Sequence, residues 1–303
     1  MGSDLDPAHF IRRLIAAKQQ ADTDHRPTGR DLANPNSRRG SQIQSAAKEI
    51  LAQAAQFDRW GTLALMDISL RYRRTVIGPL WITLTLAATI VSVGTVYAAL
   101  FKQEIAGFLP PFAVGLIVWT LIATTLQEGS NIFVASGHLI KAVPAPLIVH
   151  VLQMIARNVL IFAHHLVIVV LLFVVLPWPV HWNMVLAVPG FAILLVVLLG
   201  GSVALGLICA RFRDIGSAIV SGLQFIFFLT PIIWTEDNVR GTAFHWLTWV
   251  NPFATLLDLI RKPLLSQPTD AEQWLLGLVY AIATAVIGLG CYARYRHRVA
   301  YWL

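Results

Sequence analysis

Six apolar runs of bilayer-crossing length, none holding an Asp or Glu, constrain this chain more than any other feature. They extend from Leu80 to Phe101, Pro111 to Leu126, Ile148 to Leu176, Val185 to Cys209, Ser217 to Trp234 and Trp274 to Tyr292, against the about 20 residues that a spanning helix needs. With 56% hydrophobic and 13% charged residues, the composition is that of a bilayer-embedded protein, not of an apolar core inside a polar shell. An all-α integral membrane fold follows, with a flexible cytosolic tail at 1–40, amphipathic interfacial helices at 41–79 and a six-span domain at 80–303. The runs lack the midplane carboxylates with which cation-coupled transporters bind protons or sodium. Energy for transport comes from elsewhere.

Twelve of the 23 Lys and Arg residues precede Leu80, and Lys141, Arg211, Arg213, Arg294, Arg296 and Arg298 share that side if the runs alternate. Lys102, Arg240, Arg261 and Lys262 fall opposite, which leaves Arg157 inside a span. The basic side is cytosolic by the positive-inside rule, which places both termini inside. The net charge of +7 is thus a topology signal, and no soluble module interleaves basic and aromatic residues as a nucleic-acid surface would. Cys209 and Cys291 stand at cytosolic ends of runs and are expected as reduced thiols. Within the third run, Arg157 has the reach to snorkel to headgroups or to meet a substrate pyrophosphate. His164 and His165 point about 100° apart on a helix and cannot readily ligate one metal. No catalytic, cofactor or metal site is expected in this chain.

Ahead of the first run, Ile43, Ala47, Ile50, Leu51, Ala54 and Phe57 recur at helical spacing, with Gln44, Lys48, Gln53, Gln56 and Arg59 on the other face. This is the pattern of a helix lying on the membrane surface. Ser41 is its expected N-cap, and Gly61 introduces a second short helix on which Asp67 and Arg71 form an i,i+4 pair. Gly78-Pro79 ends that helix and starts the first span, with Pro79 where its missing N–H is harmless.

The stretch from Asp67 through Arg71-Tyr72-Arg73-Arg74 to Gly78-Pro79-Leu80-Trp81 is the first of five pieces that occur in a telling order. The others are Leu139-Ile140-Lys141 followed by Pro144 and Pro146, then Arg211-Phe212-Arg213-Asp214-Ile215, Thr230-Pro231-Ile232-Ile233-Trp234, and Asn251-Pro252 with Arg261. Together they resemble the membrane subunits of ABC exporters that carry lipid-linked polysaccharides such as O antigen, capsule or teichoic acid. The likeness runs from about Ile50 to the C-terminus. The chain departs from it at Ala145-Pro146-Leu147-Ile148, apolar where similar proteins place a charge, and in its longer polar tail.

The resemblance implies a homodimeric permease that works with two copies of a separate ATPase subunit, on which ATP and Mg are bound. No Gly-Lys pair occurs in this chain, so it holds no P-loop of its own. A short helix between Ser130 and Ile140 is then the coupling helix that docks on the ATPase, with Glu128, Asn131, His138, Lys141 and Pro144 at the contact; an ordinary solvated loop is the alternative. Arg71, Arg73, Arg74, Arg211 and Arg213 would form a cytosolic access route for a lipid-linked pyrophosphate, though positive-inside anchoring explains the same residues. Outside, the resemblance implies two short re-entrant helices that close a polysaccharide channel. One is Phe244 to Val250 with Trp246 and Trp249. The other is capped by Asn251-Pro252 and carries Phe253, Leu256, Leu257, Ile260 and Leu264 on one face. Trp119, Trp234 and Arg261 complete the expected lining or gate, and an interfacial aromatic belt is the plainer reading of most outer aromatics. Two other functions stay open on sequence: export of drugs or small lipids, and a membrane-bound transferase acting on a polyprenyl carrier.

Overall fold

The computed structural model describes residues 35–71, 73, 78, 80–143, 145–176, 181–234, 242 and 250–303. Among these residues there are helices and turns but no strand, since a helix satisfies its backbone polar groups within its own segment. In chain order the helices are α1 (Pro35–Ala54), α2 (Phe57–Arg71), α3 (Leu80–Leu100), α4 (Ile105–Ala135), α5 (Gly137–Ala142) and α6 (Ile148–Val175). They continue with α7 (Ala187–Arg211), α8 (Arg213–Leu229), α9 (Pro252–Leu264), α10 (Ala271–Tyr295) and α11 (Val299–Trp302). A 3-10 turn at Trp182–Leu186 leads into α7, and another at Arg296–Arg298 joins α10 to α11.

Five stretches are long and apolar enough to cross a membrane: Leu80–Leu100, Ile105–Ala135, Ile148–Val175, Trp182–Arg211 and Ala271–Trp302. The fifth apolar run of the sequence instead gives α8, of 17 residues, about 26 Å long at 1.5 Å per residue against a hydrocarbon thickness of about 30 Å. It stops at Thr230 because Pro231 follows, which drives the preceding residue out of the helical region; Thr230 has ψ 136°.

Helix α4 extends beyond its apolar run. Gln127 to Ala135, expected in a cytosolic loop, is helical. Two of its polar side chains are satisfied in place, Ser130 Oγ donating to the Gln127 carbonyl at 2.7 Å and Glu128 being held by α6. The short helix expected from Ser130 is accordingly confined to α5. Likewise α1 begins at Pro35, a residue suited to the first helical position, so Ser41 lies inside the helix rather than at its cap. At the junction before α3, Gly78 takes φ +62°, a conformation glycine adopts without strain.

The helix ends sort into two groups. At the terminal end, α1 lies across the last turn of α10. Tyr292 Oη donates to Glu49 at 2.7 Å, and Arg296 pairs with Glu49 and donates to Ser45 at 2.9 Å. Arg211 of α7 stacks 5.6 Å from the Trp302 ring of α11, and Ala46, Phe133, Leu147, Tyr292 and Val299 share one apolar cluster. At the opposite end α9 wedges between the first turns of α7 and α10, with Leu259 against Gly190 and Gly277. Helix α8 runs from one end to the other. It leaves the last turn of α7 at Arg213, and at its far end Asn251 Nδ2 donates to Thr230 Oγ1 at 2.9 Å.

Small residues set the closest approaches, as they do where lipid supplies no apolar driving force. A Cβ at Gly288 would stand 2.7 Å from the Gly200 carbonyl oxygen, and one at Gly129 would collide with Ser202. Helices α7 and α10 therefore touch backbone to backbone.

Candidate functional site

Arg157 sits in the third turn of α6, 8% exposed. Its guanidinium forks between two carboxylates from different helices, Asp67 of α2 and Glu128 of α4. Planar donors matched to two acceptors are what Arg supplies and Lys does not. Asn158 Nδ2 donates to Glu128 at 2.9 Å and to Thr125 Oγ1 at 3.3 Å, and Arg71 approaches Glu128 at 3.8 Å. Three expectations change here. Arg157 is paired rather than snorkelling, Asp67 pairs with it and not with Arg71, and Glu128, expected at the ATPase contact, is engaged with Arg157 and Asn158 inside the bundle. The cause is the same throughout: an Arg buried among apolar helices must bring its counter-charges with it.

The outer face of α4 and α8 carries several polar side chains among apolar ones. Gln127, Ser130 and Asn131 of α4 and Arg213 and Ser217 of α8 line an open groove of about 410 Å³. Past Gln127 it continues for about 330 Å³ along Trp119, Ala123, Gln224, Phe227 and Phe228. Ser217, Ser221 and Gln224 are all exposed on α8, at helical spacing. Trp119 touches this groove only at its margin, being 6% exposed and packed 5.8 Å from Phe227 and 5.9 Å from Phe253. The polar row was not singled out from sequence, although Gln127 and Gln224 in otherwise apolar surroundings were its signal.

The remaining expected residues are dispersed. His138, Leu139 and Lys141 are exposed on α5, and Asn131 faces the groove. Arg71 and Arg73 are exposed, Arg213 lines the groove, and Arg211 is engaged with the rings of Phe212 and Trp302. Asn251 caps α9, its side chain accepting from the Phe253 N–H at 3.0 Å with Pro252 in the first turn, and Leu256, Leu257 and Ile260 are buried on the predicted face. Arg261 pairs with Asp258 and donates to the Pro231 carbonyl, tying α9 to the segment after α8. Trp234 Nε1 donates to the Phe228 carbonyl at 3.0 Å. Arg74, Pro144, Trp246 and Trp249 lie outside the described residues, as does the tail to residue 34. His165 is buried beside Thr83 and His164 bonds to the Leu160 carbonyl; among the described residues no group of three His, Cys, Asp or Glu is placed to hold a metal.

Residues 59–265, from α2 through the charge cluster and groove to the end of α9, match the family described as ABC-2 type transporter. The chain belongs to the ABC-2 type transporter family. This ABC-2 type transporter is similar to a protein named O-antigen export system permease protein RfbA from Klebsiella pneumoniae, at 26% identity over 80% of this chain and 94% of that protein. A second Klebsiella pneumoniae protein of that name is 22% identical over the same shares, and one from Myxococcus xanthus is 24% identical over 65% of this chain and 76% of its own length. Membership makes the chain a multi-pass transport permease and sets the transferase aside.

Proposed function

We propose that this ABC-2 type transporter is the permease of an exporter that moves a lipid-linked polysaccharide, O antigen or a similar glycan, outward across the bacterial inner membrane. ATP and Mg bind a separate ATPase subunit. The observation that carries the reading is the groove on α4 and α8, in which polar side chains stand among apolar ones. A face bearing Gln127, Asn131, Ser217 and Gln224 is unsuited to lipid, where each unmet polar group costs about 2–7 kcal/mol. A second copy set against it converts two grooves into one aqueous lumen. The rings of Phe227 and Phe228 beside the groove offer flat faces to pyranose C–H edges without fixing register, and the names of the relatives point to the same substrate class.

Six crossings fit the geometry better than five. Helix α1 and the last turn of α10 meet at one end, whereas five crossings starting from that end finish at the other; end-to-end α8 supplies the sixth. Helix α9, 13 residues long and largely buried, is then re-entrant. Lys141, Arg211, Arg213, Arg294 and Arg298 lie toward the terminal end, which supports reading that end as cytosolic. There α5, with Leu139 52% exposed between His138 and Lys141, is the ATPase contact. Arg71, Arg73, Arg74 and Arg213 form the access route for the pyrophosphate.

Proteoliposomes holding this chain and its ATPase test the reading. ATP-dependent translocation of a lipid-linked glycan is the expected result. Movement of dyes or short lipids without glycan would replace it by small-molecule export, and failure of the chain to bind any ATPase would overturn it.

A further inference from the structure

Two joints of one residue each stand at the terminal end of the groove. Ser136 alone separates α4 from α5, and Phe212 alone separates α7 from α8, where φ −122° and ψ 93° turn the chain between the two helices. Helices α4 and α8, which meet these joints, are the two walls of the groove. The neighbouring residues Trp302 and Leu303 touch both. Leu303 packs against Gly137, the first residue of α5, where a Cβ would lie 3.8 Å from Leu303 Cβ. The Trp302 ring lies 5.6 Å from the guanidinium of Arg211, the last residue of α7, which also lies 5.2 Å from the Phe212 ring. Stacking on aromatic faces is a contact that the planar guanidinium makes well and that a lysine does not reproduce.

Helix α11 has a fixed base. Val299 is 0% exposed, in one apolar cluster with Phe133 of α4 and Ala210 of α7, and Trp302 packs 5.7 Å from Tyr295 at the end of α10. Ile140 turns the inner side of α5 onto the same cluster, while His138, Leu139 and Lys141 stay exposed. A push on that exposed face reaches α4 by covalent continuity through Ser136. It has no such route to α8, because α6 and α7 intervene in the chain. Packed side chains transmit displacement, since interiors are close-packed and poorly compressible. The contacts of Leu303 with Gly137 and of Trp302 with Arg211 thus supply the second route.

We propose that α11 is a clasp that fastens α5 to the α7–α8 joint, so that displacement of α5 by the ATPase moves both walls of the groove together, with Arg211 and Trp302 as its positioning residues. The clasp rests on the reading of α5 as the ATPase contact.

The test uses the full chain assembled with its ATPase in proteoliposomes without glycan, with Cys209 and Cys291 replaced by Ala. It compares the labelling rate of Ser217→Cys, exposed on α8 in the groove, by a charged thiol reagent with and without ATP. ATP changes that rate when α11 is intact. Trp302→Ala and Arg211→Gln each abolish the change while ATP hydrolysis continues, and the double variant does no more than either alone, as residues sharing one contact behave. Trp302→Phe, which keeps a ring beside the guanidinium, retains the response. With no substrate present, a role of Arg211 in holding a pyrophosphate would leave the response intact. A response unchanged in Trp302→Ala overturns the clasp and spares the permease reading, whereas no response to ATP in the intact chain overturns that reading and the clasp with it. A second measurement needs no truncated side chain: Gly137→Cys with Leu303→Cys has the Cβ separation of a disulfide. If α5 and α11 move as one body, the oxidised pair forms and the response of Ser217→Cys persists. Failure to cross-link, or a response lost on oxidation and regained on reduction, overturns the proposal.

Discussion

Replacing Arg157 by Met keeps an apolar stem in α6 and removes the guanidinium that holds Asp67 and Glu128. Stripping one member from a buried ion pair costs about 3–5 kcal/mol, because the remaining charge is left uncompensated. Here the two carboxylate side chains are 30% and 28% exposed, so they regain part of their solvation, and Glu128 keeps Asn158 and Arg71. The expected loss is therefore at the lower end, about 3 kcal/mol, and it falls on the seam between α2 and α6. Thermal unfolding in detergent reads the stability. A cysteine at Ala64, 0% exposed in α2, reads the seam through its labelling rate. Arg157→Met lowers the midpoint and speeds labelling at Ala64→Cys. Adding Asp67→Asn and Glu128→Gln restores most of the midpoint, since the cost lies in orphaned charges and not in lost packing. An unchanged midpoint in the single variant, or a triple variant as unstable as the single, refutes the reasoning.

Asn251→Ala removes the α9 cap and the bond to Thr230 and lowers stability by about 1 kcal/mol, whereas Asn251→Asp retains the acceptor and most of the midpoint. Gly200→Val places a side chain into the Thr284 backbone of α10 and yields no monodisperse chain on size exclusion, while Gly222→Ala, with nothing within 4 Å, elutes normally. Glu49→Ala takes the partners of Tyr292 and of the 9%-exposed Arg296 side chain, and lowers the unfolding midpoint clearly more than Lys48→Ala on the exposed face of α1.

Periodicity and hydropathy were enough to place the helices, because burial in lipid or in the bundle imposes one solvent on long stretches. They also located α9, whose cap and apolar stripe are local features of Asn251, Pro252 and Leu256 to Ile260. What they did not show were contacts between residues distant in sequence. Asp67, Glu128 and Arg157 are separated by up to 90 positions, and nothing local announces that one guanidinium serves both acids; an Arg in an apolar run was the cue, and the nearest acids at the span ends were the candidates. The boundary of α4 was misplaced for a related reason. Hydropathy marks where lipid ends, not where a helix ends, and Gln127 to Asn131 stay helical, with Glu128 and Ser130 hydrogen-bonded in place. Nor did the 18-residue run ending at Trp234 reveal that Pro231 would halt α8 at Leu229.

Whether the α4–α8 face borders water is decided most directly by thiol labelling in membranes containing the chain and its ATPase, with Cys209 and Cys291 replaced by Ala. Gln224→Cys in the groove is compared with Ile282→Cys, 63% exposed in the middle of α10, using a charged, lipid-insoluble reagent. An export permease with an aqueous lumen predicts rapid reaction at Gln224→Cys and none at Ile282→Cys. Equal silence at both positions would mean that lipid covers the groove, and would contradict the channel.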